Sequence, residues 1–250
     1  MRIKLIPVKK ILHTLIILMS FTMNPIFTYQ NIDAVLFDCD GVLVDTEYLK
    51  FIAWKEALAS QQVDFTIEEY MPLVGHSSKN ILKMIQQNKG IRIDEAVIAD
   101  RQARYLVLQE QGVPPLPEMI SYAIRLSQEK RFKLGLASSA SKKEILNNLH
   151  QTHLDTAFDC VVSGVDDLDA YVDAEGKNKP KPYIYLEAAK RLGVEPARCI
   201  VFEDTAAGIE AAFGAGMIPI AVPNRFTVQQ DFSKAARVIL SYEDLEEVLY

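Results

Sequence analysis

Short, continuous apolar runs and helically spaced apolar positions alternate along most of the chain. The first run, residues 32–37 (IDAVLF), ends on Asp38. A run of this length with acidic residues at its C-terminal end predicts a central buried strand that feeds an active-site loop. The pattern then changes over residues 47–112. Apolar positions recur at helical spacing in Leu49, Ile52, Ala53, Ala57 and Leu58, in Ile81, Leu82 and Ile85, and in Ile98, Tyr105 and Leu108. Strand-like alternation is missing there, which predicts an all-helical insert. The chain leaves it through 112–117 (GVPPLP), a linker stiffened by its prolines.

Beyond the linker, helices predicted at 118–129, 141–150, 183–192 and 205–215 alternate with strands at 132–137, 160–163, 199–203 and 218–222. A last strand near 237–240 and a terminal helix close the pattern. Such alternation implies an α/β fold, a Rossmann-like parallel sheet with helices on both faces. Ligands of these sheets bind outside the C-terminal ends of the strands, so the polar residues just past each strand are the ones to read for chemistry. No internal repeat or low-complexity tract interrupts the pattern.

The 250 residues, 49% hydrophobic and 24% charged, suffice for one sizeable core and a small accessory domain. A net charge of −6 argues against a general electrostatic grip on nucleic acid or anionic lipid, though not against a local phosphate site. The three cysteines, Cys39, Cys160 and Cys199, lie in apolar runs read as buried strands, without zinc or redox spacing. They read as small buried hydrophobes in a reducing compartment. Residues 1–30 form an N-terminal extension. Arg2, Lys4, Lys9 and Lys10 precede an apolar run at 11–23, resembling a signal peptide, but no small-residue cleavage site follows and the run is short for a membrane span. A true start at Met23 is the favoured expectation, with a signal or anchor as the alternative.

Four strand ends carry candidate chemistry. Asp38 and Asp40, two residues apart, point the same way, and Gly41 lets the backbone turn after them. They suit a nucleophile and an acid/base; the alternative is a pair of helix-capping carboxylates. Ser138 and Ser139 follow the next strand, where a hydroxyl can bind a phosphate oxygen or cap a helix. Lys179, in NKPKP, can neutralise phosphate and hold a carboxylate ionised, with Lys177 and Lys181 as rivals. Glu203 and Asp204 join Asp38 in a hard oxygen set suited to Mg²⁺, unless Asp204 is an N-cap. Together, at the ends of neighbouring strands, these groups suit phosphoryl transfer.

At LFDCDGVLVDTE (36–47), LASSASKKEI (136–145), NKPKPYIYLEAAKRLGV (178–194) and IVFEDTAAGIEAAFGAGM (200–217) the chain resembles the haloacid dehalogenase-like superfamily. Within it the likeness is to the branch of beta-phosphoglucomutase and small sugar-phosphate phosphatases, and it covers about 32–250. The resemblance implies that Asp38 forms an aspartyl-phosphate while Asp40 protonates the leaving alkoxide and then activates water. Ser138 and Lys179 would hold the phosphoryl group. Mg²⁺ would be bound by the Asp38 carboxylate, the Asp40 backbone carbonyl and Asp204, with Glu203 nearby or sharing that role. Residues 31–46 and 113–250 would be the catalytic core and 47–112 the helical cap that reads the substrate.

Two departures bear on this. An acidic insert at 166–171 (DDLDAY) either covers the site edge or decorates the surface. In the cap, residues 75–79 (GHSSK) occupy the substrate loop, where no arginine matches the phosphate-gripping one of the mutase and Lys79 is the substitute; His76 is either a plain loop histidine or a substrate contact. Lys50 stands where mutases tend to carry a histidine. Trp54, on the apolar face with Leu58, is expected in the core. The expected function is a Mg²⁺-dependent phosphatase of a small phosphorylated metabolite, a sugar phosphate. The alternatives are a phosphosugar mutase and a non-catalytic phosphometabolite-binding protein. A cytoplasmic monomer without nucleic-acid or stable membrane partners is expected, export or tethering through residues 1–30 being the alternative.

Overall fold

A computed structural model describes residues 31–249. The expectations for residues 1–30 lie outside the described residues. Asn31–Leu245 form one compact unit, which holds everything discussed below, and Glu246–Leu249 form a further short helix.

Strand β1 is Ala34–Phe37, and all four of its residues are fully buried. The unbroken apolar run needed no alternation because both faces of this strand are covered. Strands β2 (Lys133–Ser138), β3 (Cys160–Ser163), β4 (Cys199–Glu203), β5 (Ile218–Ala221) and β6 (Arg237–Val238) complete a six-stranded sheet in the order β3-β2-β1-β4-β5-β6. Every pairing is parallel. In the register Phe37 stands beside Leu136 on one side and Phe202 on the other. The ends of β2, β1 and β4 are therefore neighbours, and each is followed by one of the polar groups singled out above. The last strand is shorter than the expected 237–240, although Ile239 N–H still donates to Ala221 at 2.7 Å.

Residues 47–112 are helical: α1 (Glu47–Ala59), α2 (Ile67–Tyr70), a 3₁₀ turn (Met71–Leu73), α3 (Ser78–Lys89) and α4 (Ala96–Gln111). Ser77 caps α3, and Gly90, at φ 64°, ends it in the left-handed conformation. This segment has its own apolar cluster, built on Phe51, Trp54, Leu58, Tyr70, Ile81 and Ile85. Trp54 is fully buried, as expected. Phe226, from the loop after β5, is also buried in that cluster. The buried face of α4 is Val97, Arg101, Tyr105 and Gln109, rotated from the expected stripe of Ile98, Tyr105 and Leu108. The two linkers of the insert run side by side. Leu116 N–H donates to Leu43 at 2.9 Å, and Asp45 N–H to Pro114 at 2.8 Å.

Helices α5 (Pro117–Glu129), α6 (Lys142–Gln151), α7 (Tyr183–Leu192) and α8 (Ala206–Gly214) connect the strands of the sheet. Ser141 and Glu144 form a reciprocal capping box at the start of α6. Ile184, Tyr185, Leu192, Ala211 and Ala212 pack with Leu36 and Val201 in the main core. The cysteines are all free, but only Cys199 is a buried strand residue. Cys39 is buried in the turn after β1, and Cys160 is partly exposed. The acidic insert packs against the β3 edge. Asp167 accepts from Ser163 N–H at 2.7 Å and from Lys142 at 2.9 Å, while Leu168 enters the core. Among the described residues no helix is long and apolar enough to cross a membrane.

Candidate active site

The end of β1 turns sharply. Asp38 N–H continues the ladder to Phe202 at 3.0 Å, and Gly41 N–H then donates to Val44 at 2.7 Å. Gly41 sits at φ +87°, and a Cβ there would collide with the Asp204 carboxylate. Gly208, in α8, has the same relation to the Glu203 carboxylate. The two glycines thus allow backbone to approach the two acidic side chains closely.

Asp38, Glu203 and Asp204 are buried, and each offers an oxygen within 4.8 Å of the others. Lys179 joins them, its Nζ donating to Asp38 Oδ1 at 2.6 Å and to Glu203 Oε1 at 2.5 Å. The rival lysines are engaged elsewhere, Lys177 with the Leu168 carbonyl and Lys181 with Glu175. Burial alone pulls the Lys179 ammonium down, but Asp38 and Glu203 outweigh it and hold it well above the ordinary lysine value.

Both Glu203 oxygens are occupied. Oε1 accepts from Lys179 and Tyr185, and Oε2 from the Thr205 N–H and hydroxyl. Asp204 differs. Its Oδ2 accepts from Asn224 at 2.8 Å, but its buried Oδ1 has no hydrogen-bond partner among the described residues. An orphaned carboxylate oxygen beside two other buried carboxylates fits a hard divalent cation. The helix-cap alternatives fail here, because Thr205 caps α8 and Ser141 caps α6, not Asp204 or Ser138. Nor does Asp38 or Asp40 cap α1, whose preceding residue is Thr46.

Asp40 is held by both oxygens. Thr46 donates to Oδ1 at 2.7 Å, and the Lys50 ammonium lies 3.5 Å from Oδ2. Lys50 also binds Glu47 at 2.7 Å, and Tyr70 donates to the other Glu47 oxygen at 2.8 Å. A chain of side chains from the helical insert thereby reaches the Asp40 carboxylate.

These groups line a cleft of about 630 Å³, within the roughly 300–1,000 Å³ usual for small-molecule sites. Asp38, Asp40, Ser138, Ser139, Lys179, Glu203, Asp204 and His76 all contribute to it. Lys79 does not; it is exposed, and its neighbours His76, Ser77 and Ser78 supply that wall. The acidic residues 166–171 also lie outside the lining. Sequence reasoning overlooked Glu47, Tyr70 and Arg101. One signal for Arg101 was legible: it is four residues from both Val97 and Tyr105, so it shares their buried stripe.

The cluster has three carboxylates against one ammonium. Burial raises the Asp38 carboxyl from 3.8 to about 7, with Lys179 opposing and Glu203 and Asp40 adding to the rise. Burial, Glu203 and Asp38 likewise push Asp204 well above its ordinary value. A carboxyl whose folded pKa is raised binds more protons folded than unfolded between its two pKa values. The metal-free protein therefore loses stability from Asp38 as pH climbs from about 4 through about 7. A divalent cation favours the ionised forms, so MgCl₂ should raise Tm more at pH 8 than at pH 5.5, and binding near pH 6 should release protons. Thermal shift and calorimetry measure both; an equal or absent Mg²⁺ shift at the two pH values would contradict the assignment.

Against known proteins, the profile of the haloacid dehalogenase-like hydrolases matches residues 32–216. The chain is 31% identical over 190 residues to a phosphorylated carbohydrates phosphatase of Thermotoga maritima, covering 74% of this chain and 82% of that protein. It is 33% identical over 200 residues to the beta-phosphoglucomutase of Bacillus subtilis, covering 76% and 82%. Among solved structures, mutant CbbY from Rhodobacter sphaeroides in complex with xylulose-(1,5)bisphosphate superimposes with a TM-score of 0.71 at 27% identity, over 86% of this chain and 96% of that one.

Proposed function

The chain belongs to the haloacid dehalogenase-like hydrolases, and from that membership and the geometry of its cleft we propose that it is a Mg²⁺-dependent phosphatase of small sugar phosphates. The observation that carries this reading is the Asp38–Lys179–Glu203 ion-pair cluster facing an Asp40 carboxylate that is fixed through both oxygens. Asp38 attacks phosphorus and forms an aspartyl-phosphate, expelling the sugar alkoxide, which takes its proton from Asp40. Asp40, now ionised, accepts a proton from water as that water attacks the aspartyl-phosphate, so phosphate leaves and Asp38 is restored. Ser138, Ser139 and Lys179 hold the phosphoryl oxygens during both steps. The Asp38 carboxylate, the Asp40 backbone carbonyl and Asp204 would hold Mg²⁺, with Glu203 anchoring Lys179 instead of the ion. When bound, the ion supplies positive charge against the transferring phosphoryl group and the buried carboxylates. The helical insert serves as the cap that closes the cleft, and His76 contributes to its substrate wall.

Lys50 favours hydrolysis over mutase activity. It lies 3.5 Å from Asp40, in the place where mutases tend to carry a histidine. The likeness to a beta-phosphoglucomutase keeps that second reading in view. Both are separated by incubating the protein with MgCl₂ and a panel of sugar phosphates, including hexose 1-phosphates with a bisphosphate primer. Released phosphate that disappears on chelation is the expected result. Isomerised sugar without release would make the chain a mutase. Neither product would remove the enzymatic reading and leave a phosphometabolite-binding protein.

A further inference from the structure

Glu203 and Asp204, adjacent at the end of β4, are held in opposite ways. Glu203 is charge-compensated by Lys179, whereas Asp204 has no ion-pair partner among the described residues. The side chain that donates to Asp204 is neutral: Asn224 Nδ2 reaches Oδ2 at 2.8 Å. The backbone of Gly41 closes the same side, since a Cβ there would fall on Oδ2. A carboxylate turns broadly about its last torsion unless its contacts fix it. With Oδ2 engaged, Oδ1 is the oxygen presented to a cation, and an amide aims it without cancelling the negative charge that a cation needs.

Asn224 is itself fixed. Its N–H donates to Thr227 Oγ1 at 3.0 Å, and its Oδ1 accepts from Phe226 N–H at 2.9 Å. That acceptor contact assigns the amide, so the nitrogen faces Asp204. The same loop then enters the helical insert. Phe226 is 4% exposed and packs in the insert's apolar cluster, its ring centroid 6.5 Å from that of Tyr70. Gln230 donates to the Val74 carbonyl of the insert at 3.2 Å and accepts from Ala206 N–H, two residues past Asp204, at 2.8 Å. One loop of the core thus grips the insert at Tyr70 and Val74 and the end of β4 at Asp204 and Ala206. Asn224, Phe226 and Gln230 do not line the cleft, so the loop acts from behind the site.

We propose that residues 224–230 are a strap through which the docked insert sets the metal site, with Asn224 as the positioning residue that aims Asp204 and Phe226 as the anchor in the insert. Cation affinity then depends on insert docking as well as on the carboxylates. By linkage, a bound cation stabilises the docked insert as much as docking strengthens the cation. The proposal rests on the Mg²⁺ site of the reading above and is independent of which phosphate ester is cleaved.

Mg²⁺ binding without substrate is measured by calorimetry at pH 8 for the wild type, Asn224→Leu, Phe226→Ala and Gln230→Leu. The MgCl₂ concentration for half-maximal phosphate release, kcat at saturating MgCl₂ and amide exchange over residues 70–74 are followed alongside. Asn224→Leu, similar in size but without a donor, should raise the Mg²⁺ Kd by about 10- to 100-fold, the usual cost of losing a group that orients a metal ligand. The half-maximal MgCl₂ concentration should rise by the same factor, while kcat at saturation falls far less. Phe226→Ala, which removes a side chain remote from the carboxylates, should raise Kd by about fivefold, the lower end of coupling between separate sites. Gln230→Leu supplies the same readout where Phe226→Ala does not fold. MgCl₂ should slow exchange over residues 70–74 in the wild type but not in Asn224→Leu. A Kd unchanged in Asn224→Leu overturns the positioning role. A Kd unchanged in both anchor variants, whatever their Tm, or wild-type exchange indifferent to MgCl₂, overturns the strap. A wild type that binds no Mg²⁺ rejects the metal reading and the strap with it. Asn224-dependent binding without phosphate release from any ester would instead uphold the strap and reject the phosphatase reading.

Discussion

Asp38→Asn should lower kcat by at least about 10⁴-fold, the scale expected when a covalent nucleophile is removed. The amide nearly matches the carboxylate in shape but cannot form the aspartyl-phosphate. Stability should move the other way. Burial lifts the Asp38 carboxyl to about 7, so at pH 8 the metal-free protein keeps an ionised group against its desolvation cost. The amide carries no such cost, and Lys179 still has Glu203 at 2.5 Å. The metal-free variant should therefore melt at or above the wild-type Tm at pH 8, while its stabilisation by MgCl₂ shrinks. Steady-state kinetics and thermal melts on the same preparation measure both. Activity within about tenfold of wild type would remove Asp38 from the chemistry, and inactivity with a lower Tm would point to a structural role.

Lys179→Met is expected to damage both activity and fold. It deletes the only ammonium bound to Asp38 and Glu203 among the described residues, and the lysine side chain is only 8% exposed. Removing one partner of a buried ion pair typically costs about 3–5 kcal/mol. At roughly 2–4 °C per kcal/mol for a unit of this size, Tm should fall by roughly 6–20 °C. The deficit should narrow towards pH 5, where protonation relieves the uncompensated carboxylates. kcat should drop by about 10²–10³-fold, as when one preorganised donor to a developing charge is lost. Adding Glu203→Gln should recover much of the Tm but none of the activity, because it removes a stranded charge without replacing the phosphoryl donor. If Tm is unchanged in Lys179→Met, the ion-pair cluster does not stabilise the fold; if kcat is unchanged, Lys179 has no part in phosphoryl transfer.

The strand ends were legible because a strand buried on both faces leaves a continuous apolar run that stops where polar chemistry begins. That is how residues 32–37, 132–137 and 199–203 announced Asp38, Ser138 and Glu203. The helical insert was legible as a class of structure but not in its facing. Hydrophobicity points to Ile98 and Leu108, yet α4 buries Arg101 and Gln109. Gln109 is buried where Asn148, on α6, accepts its amide at 2.7 Å, and Arg101 where its guanidinium packs against the Tyr105 and Trp54 rings. Spacing within one helix carries no record of a partner 39 residues away.

The chain's own pattern determined the order of elements, the parallel sheet and the candidate acids and bases, since each depends on local periodicity and on which residues follow a strand. Tertiary structure alone decided which of three closely spaced lysines meets Asp38, 141 residues distant in sequence. It also decided that Glu203 is saturated while Asp204 keeps an oxygen without a hydrogen-bond partner among the described residues, and that Arg101 lines the cleft while Lys79 does not. Each of these outcomes depends on groups brought together by the register of β2, β1 and β4 and by the docking of the insert, where burial and countercharge select one residue among chemically equal candidates.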